Sequence, residues 1–420
     1  MKPTPPSFIP CATRRVSGRA WLPLLAAAMV LPCQHSLHAA GPPTAQVNTT
    51  GLAVTDTEVT VGQLHSATGT MAISETGSIE AEQLAIDQIN ASGGVLGRQI
   101  RVIKEDGASD WPTFAEKAKK LLVNDKVASV MGCWTSASRK AVLPVFEKEN
   151  GLLYYPTFYE GLEQSKNVFY EGQEATQQII AGLDWIAKEK KAKTFYLIGS
   201  DYIWPRTSAK IARKHIENVL KGTVVGEEFY ALGHTQFGSL INKIKLKKPD
   251  VIYAIVVGGS NVSFYKQLKA AGITSAKQTL LTISVTEDEV LGIGGENLTG
   301  FYSAMKYFQS LKNPQNEAFV KAFKGKYGDK SVIGDVTQAA YEGPWIWKMG
   351  VEKAQSFDVD KVVAASSGIT FAAPEGEVKV HPNHHLWSKL VIGQWGLDGQ
   401  AKVLYQSGDI EPNPFPKGYQ

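Results

Sequence analysis

The sequence predicts an α/β protein built from two doubly wound parallel-sheet lobes. Short apolar runs rich in β-branched and aromatic residues alternate with helical patterns from Glu58 onward. Strands that are apolar on both faces are typical of parallel sheets, whose consecutive strands are joined by helical crossovers. The chain has 420 residues. It carries about twice the strand–helix units that one sheet needs, which favours two lobes over one.

The elements follow one another in a regular order. Ala81, Leu84 and Ile89 share one helical face, and a glycine pair at 93–94 ends that helix. A second helix is predicted to begin at residues 111–112, because proline suits a first turn. After Glu375, short alternating segments predict antiparallel strands that close one lobe. The predicted strands before that point cover 59–64, 127–131, 152–155, 194–198, 251–257 and 280–283.

Residues 1–40 have the pattern of an export signal. Basic residues precede an apolar stretch at 21–31, and small residues follow at 39–40, so we expect a periplasmic protein cut near Ala40. Cys33 is an alternative, lipid-anchored first residue, although the preceding Pro32 disfavours cleavage there. We expect residues 41–57 to be a disordered spacer and residues 411–420 to be a flexible tail.

The charge balance excludes a broad class of partners. The chain has 44 Lys and Arg against 40 Asp and Glu, and four of the basic residues lie in the leader, where no acidic residue occurs. The remaining 380 residues are therefore neutral, which argues against nucleic acid or an anionic membrane surface as partner. Of three cysteines only Cys133 lies outside the leader, and its apolar surroundings predict a buried, unreactive thiol.

Aromatic and hydroxyl-bearing residues follow the predicted strands at their carboxyl ends. In parallel sheets these ends meet at one edge, and between two lobes that edge is the interlobe cleft. Helix capping by Ser136 and core packing of single aromatic residues are the simpler alternatives. Their combination instead predicts a site for a small, flat, neutral polar ligand. The candidate ligand-binding residues are Trp134, Thr135, Ser136, Tyr155, Thr157, Asp201, Tyr202, Trp204, Gly258 and Glu287.

The sequence contains no pattern that predicts an enzyme, a metal site or a cofactor. It has no nucleophile elbow, no phosphate-binding loop and no zinc-protease motif. The histidine group at His381, His384 and His385 has no cysteine or carboxylate within three residues, so a capped turn is the preferred interpretation over a metal site.

Long segments of the chain resemble a known family, the urea-binding subunits of bacterial urea ABC transporters. These subunits are type I periplasmic binding proteins, related to receptors for branched-chain amino acids and short amides. The resemblance runs from about Glu58 to about Trp387. It is carried by EDGASDWPTFAEKAKKLL at 105–122, GCWTSASRKAVLPVFE at 132–147, YPTFYEGLEQS at 155–165, GSDYIWPR at 199–206, VVGGSNVSFYKQLKAAGIT at 256–274 and APEGEVKVHPNHHLWSK at 373–389.

The resemblance implies a non-catalytic receptor whose two lobes are joined by three crossovers. Lobe I is then expected at 58–172 plus 305–365, and lobe II at 173–304 plus 366–410. The implied ligand is urea, and the implied partners are the permease subunits in the membrane. A short amide such as formamide or acetamide, a sensory ligand-binding module and a secreted amidohydrolase stay open as alternatives. Related amide binders hold their ligand with the positions that match Ser136, Tyr155, Thr157, Tyr202 and Trp204.

We expect aromatic rings to cover the ligand and hydroxyl groups to meet its edge. The rings would come from Trp134, Tyr155 and Trp204. The hydroxyls would come from Ser136, Thr157 and Tyr202, and a lobe II carboxylate, Glu287 or Asp201, would be the charged acceptor. An ion pair with Arg206 is the alternative role for Asp201.

Overall fold

Three β-sheets organise residues 41–420, the part of the chain that the computed structural model describes. The predicted export signal and the alternative anchor at Cys33 lie outside the described residues. The strands are β1 (Glu58–His65), β2 (Gln99–Asp106), β3 (Val130–Gly132), β4 (Leu153–Tyr155), β5 (Val168–Tyr170), β6 (Thr194–Ser200), β7 (Thr223–Tyr230), β8 (Val251–Ile255), β9 (Thr279–Thr282), β10 (Tyr302–Met305), β11 (Thr370–Ala373), β12 (Gly376–Lys379), β13 (Val391–Trp395) and β14 (Ala401–Gln406).

Helices connect most of the strands. Two π-helical turns, Lys120–Asn124 and Thr176–Ile180, adjoin α3 and α5. No helix in residues 41–420 is long and apolar enough to cross a bilayer. The α-helices are α1 (Thr44–Val47), α2 (Ala72–Ala91), α3 (Trp111–Lys119), α4 (Ser136–Glu149), α5 (Ala181–Lys190), α6 (Ile203–Asn218), α7 (Gly238–Lys247), α8 (Ser260–Ala270), α9 (Glu287–Ile293), α10 (Gly295–Leu298), α11 (Pro314–Tyr327), α12 (Asp335–Ala354) and α13 (Val359–Ser366).

The first sheet is the centre of lobe I. Its five strands run in the order β2-β1-β3-β4-β5, and all pair in parallel. Val59, Val61 and Tyr154 are buried on one side of this sheet together with Trp347 of α12. Helix α12 packs against α2 and also contacts β3 and β4, so the chain returns to lobe I after passing through lobe II.

The second sheet is the centre of lobe II. Its order is β14-β13-β10-β9-β8-β6-β7, and the strands from β7 to β10 pair in parallel. Strands β13 and β14 are antiparallel to their neighbours. This pattern confirms the predicted antiparallel closure after Glu375 and the predicted parallel organisation of both lobes.

The segment at 41–57 is not the disordered spacer that its composition suggested. Helix α1 lies here, and Val47 and Val54 are buried in the lobe I core. Thr49 donates its backbone N–H and its hydroxyl to Asp358 at 2.7 and 2.5 Å. The two buried valines and the hydrogen bonds to the Asp358 carboxylate hold the segment in place, as would not be expected of a disordered spacer.

The tail at 411–420 is likewise packed instead of free. Pro412, Pro414 and Pro416 are buried. The Pro414 carbonyl accepts the N–H of Leu162 at 2.7 Å, and Tyr419 contacts His215 through a hydrogen bond of 2.6 Å. Proline has a fixed φ and loses little entropy on ordering, so a few contacts suffice to hold the tail.

The third sheet corrects the expected boundary of lobe II. Its hairpin, β11 and β12, packs against α11 and α12 of lobe I, and Val378 and Val380 join the lobe I core. The expected lobe II segment 366–410 is therefore divided. Only β13 and β14 join the second sheet, because the alternating valines of the hairpin are buried against the first lobe.

Candidate functional site

The carboxyl ends of the parallel strands of both lobes face one another across a closed cleft. Trp134 follows β3, Phe158 follows β4 and Trp204 lies in the first turn of α6 after β6. Their rings form a continuous path between the lobes, with centroids 5.7 Å apart for Trp134 and Phe158 and 5.3 Å apart for Phe158 and Trp204. All three residues are at most 2% exposed. The predicted clustering of strand-end aromatics therefore holds for these two tryptophans.

Four buried polar atoms in this group have no hydrogen-bond partner within residues 41–420. They are Trp134 Nε1, Thr157 Oγ1, Tyr202 Oη and Trp204 Nε1. Buried polar groups in folded proteins are almost always paired, and an unpaired one costs about 1–3 kcal/mol. Two of the four come from lobe I and two from lobe II, so both lobes contribute buried polar atoms that lack a partner.

Ser136 lies at the first position of α4, within a buried charge network. Its hydroxyl donates to Glu160 at 2.6 Å and accepts from Arg139 at 3.1 Å. Arg139 is fully buried and also donates to Glu163 at 2.7 Å. Burial would raise the pKa of Glu163, but Arg139 and Lys140 outweigh it and lower that pKa to about 2. The network fixes the start of α4 at the edge of the cleft.

Thr135 has a structural role that the sequence interpretation gave to its neighbour. Its side chain caps α4 by accepting the N–H of Ser138 at 2.9 Å. Thr135, and not Ser136, is therefore the N-cap residue. With its hydroxyl oxygen occupied in this way, Thr135 supports the loop after β3 and is not grouped with the unpaired cleft atoms.

Tyr155 packs its ring against the same charge network. Its hydroxyl donates to the carbonyl of Trp134 at 2.7 Å. Arg139 lies over the Tyr155 ring, 4.8 Å from its centroid, and over the Tyr159 ring at 4.5 Å. Burial raises the pKa of Tyr155, so the hydroxyl is held as a neutral donor. Tyr155 thus orients the Trp134 backbone.

The two expected lobe II carboxylates differ: Asp201 is exposed, whereas Glu287 is buried and its Oε2 has no partner within residues 41–420. Asp201 is 42% exposed at its side chain and forms an ion pair with Arg206 at 2.5 Å. Glu287 is buried, and its Oε1 accepts the backbone N–H of Gln309 at 2.9 Å, beside the crossover between lobes. Burial raises the pKa of Glu287 well above its ordinary value, next to Asp288 and Asp335. The pair of Asp201 with Arg206 is the alternative that the sequence already offered for Asp201.

Gly258 lies where the loop after β8 meets the loop after β1. Its φ is +61°, and a Cβ there would lie 2.9 Å from the Thr70 carbonyl oxygen and 3.0 Å from Met71 Sδ. Next to it, Gly259 donates its N–H to Thr70 at 3.3 Å. Glycine therefore allows lobe II to approach lobe I closely at this point.

A second buried charge network lies between the end of β1 and helix α2. It was not predicted from the sequence. His65, the last residue of β1, bonds Glu75 through Nδ1 at 3.2 Å and Glu82 through Nε2 at 2.8 Å. Burial would lower the pKa of His65, but the two carboxylates outweigh it and raise the pKa to about 10. The available signal was the position of His65 at a strand end. Its two partners lie 10 and 17 residues later on a helix and give no local pattern.

Cys133 and the histidine group contact other parts of the fold and show no sign of a reactive or metal-binding role. Cys133 is unpaired and buried, and burial raises its pKa, which matches the predicted inert thiol. His384 bonds the Ser165 carbonyl, while His385 stacks on Tyr170 at 4.4 Å. Across residues 41–420 no group of three or more histidine, cysteine or acidic side chains is arranged to hold a metal ion.

Comparison with known proteins places this architecture in a family. A family model described as "Periplasmic binding protein domain" matches residues 59–420. The chain belongs to the periplasmic binding protein family. The matched residues span both lobes and the packed tail, so family membership concerns the whole described fold.

Related periplasmic binding proteins have curated names that refer to amino acids. A leucine-, isoleucine-, valine-, threonine- and alanine-binding protein from Pseudomonas aeruginosa is 29% identical over 303 residues, covering 70% of this chain and 78% of that protein. A limonene hydroxylase from Geobacillus stearothermophilus is 35% identical over 115 residues, but these cover only 27% of this chain and 21% of that enzyme. That partial match carries no activity to this chain.

Solved structures confirm the predicted fold class. An ABC-transporter solute-binding protein from Rhodopseudomonas palustris in complex with benzoate has a TM-score of 0.76 at 22% identity, covering 85% of this chain and 98% of its own. A branched-chain amino acid transporter substrate-binding protein from Streptococcus pneumoniae in complex with isoleucine has a TM-score of 0.74 at 21% identity, covering 84% and 100%. At this identity the likeness concerns the fold.

Proposed function

We propose that the protein is the extracytoplasmic solute-binding component of an ABC importer and that it captures urea between its lobes. The observation that carries the proposal is the set of four unpaired, buried polar atoms on Trp134, Thr157, Tyr202 and Trp204. Family membership supports a binding role, and the sequence resemblance to urea receptors supports the choice of ligand.

The chemistry of these atoms complements urea. Urea has one carbonyl oxygen and four N–H donors in a single plane. The two indole N–H groups can only donate, so they suit the carbonyl, whereas the hydroxyls of Thr157 and Tyr202 can also accept. The rings of Trp134 and Trp204 would cover a flat molecule. A short aliphatic amide shares most of this chemistry and differs by a methyl group next to the carbonyl.

The size of urea limits the affinity that any such site can reach. With four heavy atoms and a ceiling of about −1.5 kcal/mol per atom, the binding free energy is about −6 kcal/mol, or a Kd on the order of tens of μM. Such a ligand needs a dry and preorganised site. The close approach at Gly258 and the buried aromatic path between the lobes supply these conditions.

Delivery to the permease would follow from the same architecture. The protein would act in the periplasm, either released after cleavage near Ala40 or anchored through Cys33, and would dock on membrane permease subunits. Membrane contact would then occur only through the permease or that anchor. Neither a nucleic acid nor a cofactor has a role in this proposal.

A ligand screen tests the proposal directly. Thermal unfolding is followed with urea, formamide, acetamide, leucine and benzoate, because binding to the native state alone raises the melting temperature by mass action. Calorimetry then gives the Kd of each positive ligand. We expect urea to give the largest shift. A shift with leucine or benzoate and none with urea would overturn the proposal, whereas a larger shift with acetamide would reassign the ligand to amides.

A further inference from the structure

Glu75 carries an unpaired carboxylate oxygen at the cleft. Its Oε1 is buried without a hydrogen-bond partner within residues 41–420, and the side chain is 1% exposed. The other oxygen is fully used, since Oε2 accepts the Ser66 N–H at 2.7 Å and contacts His65 Nδ1 at 3.2 Å. A buried carboxylate oxygen without a donor is costly, because charged groups lose more than neutral ones when unpaired.

The position of Glu75 brings this oxygen to the candidate site. Glu75 lies in the first turn of α2, at the carboxyl end of β1. The Leu64 carbonyl accepts the N–H of Cys133 at 2.8 Å, which joins this strand end to the loop that carries Trp134. Ser74, next to Glu75 in the same turn, donates its hydroxyl to Glu289 of α9 at 2.6 Å, so the first turn of α2 faces the second lobe.

The rest of the network holds Glu75 in place. Gln63 Nε2 donates to Glu82 Oε2 at 2.7 Å, and Glu82 Oε1 contacts His65 Nε2 at 2.8 Å. With its pKa near 10, His65 is protonated at neutral pH and donates through both ring nitrogens. Among the side chains of this network, Gln63 Oε1 and Glu75 Oε1 are the atoms without a hydrogen-bond partner within residues 41–420. The arrangement fixes one carboxylate oxygen without occupying it.

We infer that Glu75 is the charged acceptor of the site and that it selects ligands carrying an N–H donor. The inference rests on the proposed function and replaces the expected lobe II carboxylates with one from lobe I.

The excess of buried negative charge near the cleft favours a neutral ligand that donates N–H groups. Four buried carboxylates, those of Glu75, Glu82, Glu160 and Glu163, face two buried cations. The cations are His65 and Arg139, and the carboxylates remain in excess even when the half-exposed Lys140 is counted. A ligand carboxylate would meet this excess of negative charge in a region of low dielectric constant, so an anion such as benzoate is disfavoured.

The experiment compares Glu75→Gln with a matched control by calorimetry. Glu75→Gln keeps the size of the side chain and removes the charge. We expect urea to bind the variant at least tenfold more weakly, since hydrogen bonds to charged groups are the strong ones. Glu171→Gln is the control, because Glu171 is also buried with an unpaired Oε1 but faces Gly343 of α12. Its urea affinity should equal that of the native protein.

The outcomes separate the inference from the proposed function. If the native protein binds urea and the Glu75→Gln variant binds it with equal affinity, the inference alone is overturned. Native protein that binds neither urea nor amides overturns both. Should Glu75→Gln fail to fold, a urea-bound crystal structure of the native protein decides: a urea nitrogen within about 3.2 Å of Glu75 Oε1 supports the inference, and a separation above about 4 Å contradicts it.

Discussion

Thr157 and Tyr202 bring two buried hydroxyls into the cleft from opposite lobes. Thr157 follows β4, and Tyr202 is the N-cap residue of α6, yet neither hydroxyl has a partner within residues 41–420. We expect Thr157→Val and Tyr202→Phe to weaken urea binding by about 2- to 10-fold each, the value of one hydrogen bond of about 0.5–1.5 kcal/mol. Calorimetry with urea measures the change.

Tyr253→Phe is the control for that experiment. Tyr253 also has a buried hydroxyl without a partner, but it lies within β8, and burial alone raises its pKa. Its removal should leave urea affinity unchanged. If the two cleft variants also bind urea as the native protein does, their hydroxyls take no part in recognition.

The close approach of Gly258 to Thr70 leads to a separate prediction about lobe closure. Gly258→Ala places a methyl group 2.9 Å from the Thr70 carbonyl oxygen, so we expect weaker urea binding in calorimetry. Gly272→Ala is matched to it in the same lobe, because its φ of +76° imposes similar backbone strain while nothing lies within 4 Å. Equal urea affinities of the two variants would argue that Gly258 does not limit the approach of the lobes.

Strand-end position was sufficient to predict part of the site but not its charges. Trp134, Thr157 and Trp204 follow apolar runs directly, so their location could be inferred from the order of elements. Glu75 lies 10 residues after His65 on a helix, and only the packing of α2 returns it to the strand end. For Asp201 the sequence offered two roles, ligand acceptor or partner of Arg206, and the structure shows the pair with Arg206.

Among the elements, most interior strands were predicted, whereas the edge strands β2 and β7 and the interior strand β10 were not. β1, β6 and β8 are buried almost throughout and appear as apolar runs. β2 and β7 lie at sheet edges and are only partly buried, with charged residues along their length. An edge strand pairs with only one neighbouring strand and is partly exposed to solvent. Its sequence therefore contains fewer apolar residues by which a strand can be recognised.

Helix α9 makes the contact between lobes sensitive to pH. Asp288 accepts the Thr337 hydroxyl at 2.9 Å and the Gly334 N–H at 3.1 Å, both from the lobe I side. Burial, with Glu289 next to it, raises the pKa of Asp288 to about 8. Opening would expose Asp288 and return its pKa toward its ordinary value of 3.8, so closure takes up a proton between these two values.

The sign of the effect follows from that proton. A raised carboxyl pKa favours the closed form most at low pH, and the advantage is lost as the pH rises through about 8. We therefore expect urea affinity to fall between pH 6 and pH 8 and to level off above. Calorimetry in buffers of different ionisation enthalpy measures the proton uptake. In Asp288→Asn the pH dependence should become weaker, and a native affinity that is constant across this range would contradict the mechanism.

At the scale of the whole molecule, closure is distributed over several interlobe contacts. Ser74 of α2 donates to Glu289 of α9 at 2.6 Å, and Phe158 lies between the two cleft tryptophans. Each of these contacts would have to break when the lobes separate. A neutral body whose two lobes are each built on their own parallel sheet is the kind of molecule in which a small neutral ligand can shift this balance.

The packed tail at 411–420 adds a tie that connects both lobes. Pro414 bonds Leu162 beside lobe I, Asn413 donates its N–H to Glu174 in the crossover, and Tyr419 bonds His215 on α6. Helix α6 also carries Trp204, so the tail holds a helix of the site. We expect deletion of 411–420 to lower the melting temperature and to weaken urea binding, because the closed arrangement loses contacts that span both lobes.

Solution scattering and calorimetry together test this role. We expect the native protein to become more compact when urea saturates it, and the truncated protein to need more urea for the same decrease in radius of gyration. Lys417→Ala is the control, since Lys417 is exposed and its side chain forms none of the tail's described bonds. It should behave as the native protein does. A truncated protein with native urea affinity and native compaction would show that the tail stabilises the fold without contributing to closure.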